Sequence, residues 1–164
     1  MNPEIKRLLW NQFGAAIDMV ARAIESCPDR LWSDTSRDPQ FWYVTYHALF
    51  WLDYYLSDPP EGFVPPAPFT LSEFDPTGVP DRIYSRAELE AYLAHCRKKC
   101  ETMIDMLTDG TAKMPRRIGR AEGTFLELSL YNMRHVQHHA AQLNLILRQT
   151  GIEPQRWVSR AIPS

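Results

Sequence analysis

Three histidines fall within five positions in the stretch RHVQHHAAQ, residues 134–142. On a helix, residues four apart lie on the same face, so His135 and His139 can direct their imidazole rings toward a single point. Neutral imidazole is a common protein ligand for divalent transition metals, and an H-x3-H pair can bind one ion while leaving other positions open. The spacing therefore predicts part of a metal site, with His138 turned toward solvent.

A metal ion needs at least one further ligand, and His47 is the candidate. It lies in the stretch FWYVTYHALFWLDYYLS, residues 41–57, which is apolar or aromatic on nearly every side. A buried imidazole loses its water, and one divalent cation would satisfy all three rings. We therefore predict that His47, His135 and His139 bind a divalent metal ion. Gln142, one turn beyond His139, lies on nearly the same side and receives no assigned role.

A simpler interpretation of the histidines stays open. An inward-facing histidine is often a hydrogen-bonded core residue, and an H-x3-H pair alone is only a weak indication of metal binding. The chain has no HExxH motif, which excludes the metalloprotease pattern with a helical glutamate as base. His95 lies beside Arg97 and Lys98 and is expected to face solvent without a functional role.

Four segments with helical periodicity are predicted to position these side chains. Two of them begin with an N-cap residue followed by proline. The other two begin with a capping box, in which serine or threonine is followed three residues later by glutamate. The predicted bounds of the four helices are residues 2–27, 38–57, 85–109 and 124–151.

The segment between the second and third helices, residues 58–84, holds seven of the 13 prolines, which excludes a regular helix there. It also carries aromatic and aliphatic residues that a freely solvated linker would not need. We therefore expect an ordered, proline-rich crossover packed on the helices. Its length lets the second and third helices run parallel, whereas the shorter connections at 28–37 and 110–123 suit antiparallel neighbours. The fold class predicted is all-α.

Length, charge and cysteine content limit the binding partners and the cellular location that we expect. The length of 164 residues favours a single domain spanning 1–164, and a net charge of -2 gives no electrostatic basis for binding nucleic acid or an anionic membrane. No apolar run fits a signal peptide or a membrane span. The three cysteines form no spacing framework, and Cys96 and Cys100 continue the apolar face of the third helix. We therefore expect core thiols and a cytoplasmic protein.

Together these features resemble the DinB superfamily of small metal-binding four-helix bundles. The resemblance rests on the histidine within the second helix and on the long connection that follows it. It also rests on the H-x3-H-x2-Q pattern of His135, His139 and Gln142, which leads into LILRQTG, residues 145–151. The resemblance covers nearly the whole chain.

The resemblance implies an up-down-down-up four-helix bundle, often dimeric. His47, His135 and His139 would match the family's three-ligand site for a divalent ion, commonly zinc or nickel. The second helix, apolar almost all round, fits a homodimer if the crossover does not cover its outer side.

The resemblance also implies possible activities, because the family includes thiol-dependent S-transferases and isomerases that use low-molecular-weight thiols such as bacillithiol or mycothiol. The first hypothesis is a metal-dependent thiol S-transferase acting on a small molecule, in which the ion favours the thiolate. A hydrolase in which the ion activates water is a second hypothesis. A third is a non-catalytic metal-binding or ligand-binding stress-response protein, for which a structural zinc would need a fourth protein ligand.

Overall fold

The computed structural model describes residues 1–58, 60–75, 79–119, 121–153 and 156–163. Within these ranges the chain is mainly helical, and its four long helices correspond to the four predicted from the sequence. Two short helices, two 3-10 turns (Pro60–Gly62 and Ser72–Phe74) and one hairpin are the other regular elements of the described residues. In chain order the elements are α1 Pro3–Ser26, α2 Asp29–Trp32, α3 Phe41–Tyr55, α4 Arg86–Met106, α5 Asp109–Ala112, β1 Pro115–Ile118, β2 Ala121–Thr124 and α6 Phe125–Gln149.

The starts of the long helices follow local capping chemistry. Ser85 and Thr124 begin α4 and α6 with reciprocal capping boxes, and the Asn2 side chain caps α1. These three starts confirm the predictions. The predicted start of α3 after Asp38 is wrong, because the backbone of Gln40 is still extended and the helix begins after it.

Between α5 and α6 the chain is not helical: β1 and β2 form an antiparallel hairpin, with Pro115 opposite Thr124, that was not predicted from the sequence. Gly119 follows β1 with a φ of 60°, in the left-handed region that glycine adopts without strain. The two strands read PRRI and AEGT and show no alternation of apolar and polar residues. The period-2 signal of a strand is therefore missing from the sequence.

The described part of the crossover packs on α3, as predicted. Phe69 stacks on Tyr46 with ring centroids 5.9 Å apart, and Phe63 and Phe74 lie edge-on to Phe50 at 5.3 and 5.2 Å. These contacts cover apolar surface of α3 without a second subunit. The homodimer therefore stays a prediction.

The core lies where the four long helices meet, with α1 and α3 each packed against both α4 and α6. Its largest apolar side chains are almost completely buried and include Phe13, Ile17, Leu49, Leu89, Leu143 and Leu147. This packing supports a helical fold; the up-down-down-up order of helix directions and the single-domain boundaries stay predictions. Within the described ranges, no helix is both long and apolar enough to cross a membrane.

A polar network joins α3 to α4 inside this core. Asp53 on α3 is 1% exposed and accepts a hydrogen bond from the Tyr92 hydroxyl at 3.1 Å. The Lys99 ammonium donates to the same carboxylate, and also to the Ser57 hydroxyl at 2.8 Å. The buried Asp53 carboxylate and Tyr92 hydroxyl therefore have partners, which the low dielectric of the interior requires.

The segment 156–163 lies along α1 and is held by a second buried carboxylate. Asp18 accepts from Arg97 Nε at 3.1 Å and from the backbone N–H of Ile162 at 2.7 Å. A Cβ at Gly14 would lie 2.6 Å from the Cβ of Ala161. Glycine at this position therefore permits the close approach of the segment to α1.

Candidate metal centre

Three histidines from two helices come together between α3 and α6. The ring centroids of His135 and His139 are 4.5 Å apart, and those of His47 lie 4.7 Å from His139 and 5.8 Å from His135. One nitrogen from each ring lies within 4.8 Å of the others. Nitrogen ligands on one tetrahedral zinc ion would be about 3.3 Å apart, as follows from Zn–N bonds of about 2.05 Å. The three rings would therefore have to move closer together to bind one ion.

The faces of α6 are as the sequence predicts. Val136 and Ala140 are buried in the core, His135 and His139 are half-buried beside them, and His138 is exposed. The apolar stripe of the helix therefore orients the H-x3-H pair toward α3. The structure places the three predicted residues together, while their role as metal ligands stays a prediction.

Gln142 contacts the ring of His139. Its side-chain oxygen lies 2.7 Å from His139 Nδ1. An amide oxygen only accepts hydrogen bonds, so Nδ1 carries the proton and Nε2 keeps its lone pair. Gln142 thus holds His139 in the tautomer that can offer Nε2 to an ion.

Glu73 contacts His47 and was not identified from the sequence. Its Oε2 lies 2.6 Å from His47 Nδ1 and accepts from Trp51 Nε1 at 2.8 Å. Glu73 belongs to the 3-10 turn Ser72–Phe74 of the crossover. An irregular segment has no period from which an inward direction could be read, so the sequence carried no signal for this contact.

The protonation state of His135 and His139 on α6 also favours metal binding. Burial, and then the neighbouring histidines, lower the pKa of His135 to about 3, and burial followed by His47 lowers the pKa of His139 to about 4. Both rings are therefore neutral at pH 7, the form that binds metal ions. Within the described ranges, the buried Nδ1 of His135 has no hydrogen-bond partner. An orphaned ring nitrogen is unfavourable unless an ion or water satisfies it, so these residues fit a divalent metal.

These pKa shifts predict that metal-free protein loses stability as the pH falls from 7 to 4. Below pH 6.5 the unfolded chain takes up protons on these histidines, whereas the folded protein does so only near pH 3 to 4. Acid therefore favours the unfolded state, by at most about 1.4 kcal/mol per pH unit for each ring. Urea unfolding of metal-free protein at several pH values measures the effect.

A His135→Leu/His139→Leu variant is the control for this pH series, because the carboxylates that also titrate in acid are unchanged. Its free energy of unfolding should fall less steeply between pH 7 and 4 than that of the wild type. Equal slopes for the two proteins would contradict the lowered pKa values.

Aromatic side chains surround the triad. The rings of Trp51 and Tyr43 lie 6.2 and 6.3 Å from the ring of His47, and Tyr55 lies 5.9 Å from that of His135. Burial, followed by the charge of Glu73, raises the pKa of Tyr43 to about 12, so this phenol is neutral at pH 7. The site thus offers apolar ring surface beside the three imidazoles.

Other candidate residues from the sequence lie elsewhere. His95 is 45% exposed, with Nε2 3.5 Å from the Asp53 carboxylate, and faces solvent as predicted. Cys27, Cys96 and Cys100 are free and buried, which confirms the prediction of core thiols for Cys96 and Cys100. Burial raises the pKa of all three thiols, that of Cys27 to about 12. They are therefore poor nucleophiles at neutral pH.

The sequence model described as the DinB superfamily matches residues 12–143, well over half of the chain, and this range includes all three histidines of the triad. No curated protein matches the chain.

Proposed function

Since this chain belongs to the DinB superfamily, we propose that it binds one divalent metal ion, zinc or nickel, through His47, His135 and His139. We further propose that it transfers a low-molecular-weight thiol to a small-molecule electrophile. The observation that carries the proposal is the group of three histidine nitrogens within 4.8 Å. Within the described ranges, no fourth histidine, cysteine, aspartate or glutamate joins them. A structural zinc normally has four protein ligands, so three would leave a position for an exchangeable ligand.

When bound, a divalent ion would lower the pKa of a coordinated thiol, so that the thiolate is present at neutral pH. The residues of the chain prepare this chemistry. The three imidazoles are neutral ligands and leave the positive charge of an ion uncompensated. Gln142 Oε1 accepts a hydrogen bond from His139 Nδ1, with the two atoms 2.7 Å apart. Trp51 and Tyr55 provide an apolar surface on which an electrophile can pack.

The thiol must come from solution, because the three cysteines of the chain are buried core residues with raised pKa values. Low-molecular-weight thiols are abundant in a reducing cytoplasm, and free cysteines fit that location. The proposal therefore includes a cytoplasmic protein with a small-molecule substrate. It also keeps the homodimer, which the family resemblance implies.

The hydrolase alternative has less support. Glu73 contacts His47 of the triad, but its side chain already accepts hydrogen bonds from His47 and Trp51 and is only 3% exposed. It is therefore not placed to accept a proton from a water molecule at the open position. The non-catalytic alternative, a metal-binding or ligand-binding stress-response protein, predicts metal binding without turnover.

Conjugation of monochlorobimane tests the transferase proposal. Protein loaded with zinc or nickel would be assayed with bacillithiol, mycothiol, glutathione, coenzyme A and cysteine. We expect turnover with at least one thiol, loss of turnover with a chelator, and no turnover by a His135→Ala/His139→Ala variant. A His138→Ala variant, which changes an exposed histidine on the same helix, should keep the activity. Stoichiometric metal without turnover for any thiol would contradict the transferase and favour the non-catalytic alternative.

A further inference from the structure

The metal centre draws on the crossover as well as on two helices. Glu73 uses a single oxygen, Oε2, to accept from both His47 Nδ1 and Trp51 Nε1, which lie one turn apart on α3. The carboxylate is 3% exposed. The Glu73 side chain thus joins the crossover to the face of α3 that carries His47.

This contact determines which nitrogen of His47 is available. A carboxylate accepts hydrogen bonds, so in the neutral form of His47, the form that binds metal ions, the proton lies on Nδ1. His47 Nε2 then keeps its lone pair, on a ring whose centroid is 4.7 Å from that of His139. Glu73 acts on His47 as Gln142 acts on His139, but with a full negative charge and from a different part of the chain.

The burial of a carboxylate at Glu73, rather than of a neutral side chain, needs an explanation. Within the described ranges, the second oxygen of Glu73, Oε1, is buried without a hydrogen-bond partner. A neutral glutamine could accept from Trp51 without the cost of burying a charge. A carboxylate is favoured where positive charge is to be held nearby, and a carboxylate behind a ligating imidazole also increases the basicity of that imidazole.

We infer that Glu73 is a positioning residue of the metal centre, which fixes the tautomer and orientation of His47 and so couples metal binding to docking of the crossover. The inference rests on the metal site proposed above. The crossover is joined to α3 beside Glu73 by the Tyr46 hydroxyl, which donates to the Thr70 carbonyl at 2.9 Å. Because coupling is reciprocal, a bound ion should stabilise this docking by the same factor by which docking strengthens ion binding.

Zinc affinity in Glu73 variants tests the inference. Zinc would be the probe, and its Kd would be measured by competition with a chromogenic chelator. We expect Glu73→Ala to bind zinc 10- to 100-fold more weakly than the wild type. This is the usual effect of removing a group that hydrogen-bonds to a metal-ligating histidine. Glu73→Gln should fall between them. Glu61→Ala, which removes an exposed glutamate from the same crossover, should bind like the wild type.

Two further readouts separate positioning from a merely structural role. In metal-free protein at pH 8, nitrogen chemical shifts should show His47 protonated on Nδ1 in the wild type and mixed between Nδ1 and Nε2 in Glu73→Ala. Zinc should slow amide exchange at residues 70–75 in the wild type but not in Glu73→Ala. A purely structural role would lower the melting temperature of Glu73→Ala while leaving its zinc Kd unchanged, which would overturn the inference.

Two outcomes, a Glu73→Ala variant that does not fold and a wild type that binds no metal, need further measurements. If Glu73→Ala does not fold, Trp51→Phe keeps the contact from Glu73 to His47 while removing the hydrogen bond from Trp51 Nε1. It should retain zinc affinity within a few-fold, and a loss as large as that expected for Glu73→Ala would overturn the inference. If wild-type protein binds no zinc or nickel, the proposed metal site fails. The tautomer of His47 then still decides whether Glu73 fixes the ring, because that measurement uses metal-free protein.

Discussion

Replacing His139 by alanine is expected to remove the metal from the protein and with it the metal-dependent part of its stability. The His139 ring is the central member of the triad, with centroids 4.5 Å from His135 and 4.7 Å from His47. Its loss leaves two imidazoles on different helices, which hold an ion poorly. An ion that binds only the folded state stabilises it by about 4 kcal/mol when its free concentration is 1,000 times the Kd.

Two measurements check this expectation. Elemental mass spectrometry on untagged protein, purified without a nickel column, should find near-stoichiometric divalent metal in the wild type and in His138→Ala, but not in His139→Ala. Melting temperatures should fall with a chelator for the first two proteins and stay constant for the third. If the wild-type protein neither contains nor takes up metal, the three histidines are hydrogen-bonded core residues and not metal ligands.

Replacing Asp53 by alanine should cost about 3 kcal/mol of unfolding free energy, in the range measured when one partner of a buried ion pair is removed. The change leaves the Tyr92 hydroxyl, which is 1% exposed, without its acceptor. It also removes the carboxylate that neutralises the Lys99 ammonium. Lys99 can partly turn to solvent, which is why the expected value lies at the lower end of the range. Urea unfolding measures the loss.

A double-mutant cycle separates the Asp53 network from a general effect of truncation. Lys99→Ala should also be destabilising, because Asp53 then stays buried with less compensation. The double variant should lose less than the sum of the two single variants, since neither charge is left alone. Glu90→Ala, which changes an exposed residue on the same helix, should stay within about 0.5 kcal/mol of the wild type. Additive losses would mean that the two charges act independently.

The sequence was most informative where structure depends on local chemistry. The starts of α1, α4 and α6 depend on a few neighbouring side chains, which the sequence displays directly. The H-x3-H pair has a defined face because helical periodicity fixes the direction of each side chain. His47 could be added because the sequence of α3 is apolar on nearly every side, so that this imidazole was expected to be buried. Three residues of one candidate site were therefore accessible without coordinates.

The features that were not predicted from the sequence depend on contacts between distant parts of the chain. The hairpin is made of mostly polar residues without alternation, so only its pairing identifies it. Aromatic residues predicted that the crossover is ordered, but irregular backbone gives no rule for the direction of each side chain. Glu73 was missed for this reason. The partners of Asp53 lie on another helix and could not be read from the period of α3.

The burial of every native thiol makes the protein convenient for site-directed labelling. Maleimides and aromatic disulfides react with exposed thiolates, and Cys27, Cys96 and Cys100 are neither exposed nor ionised at neutral pH. The folded protein should therefore behave toward these reagents as if it had no cysteine. A single Glu61→Cys change would place the one reactive thiol on the crossover. A fluorophore or spin label there would turn movement of that segment into a signal that can be followed in solution.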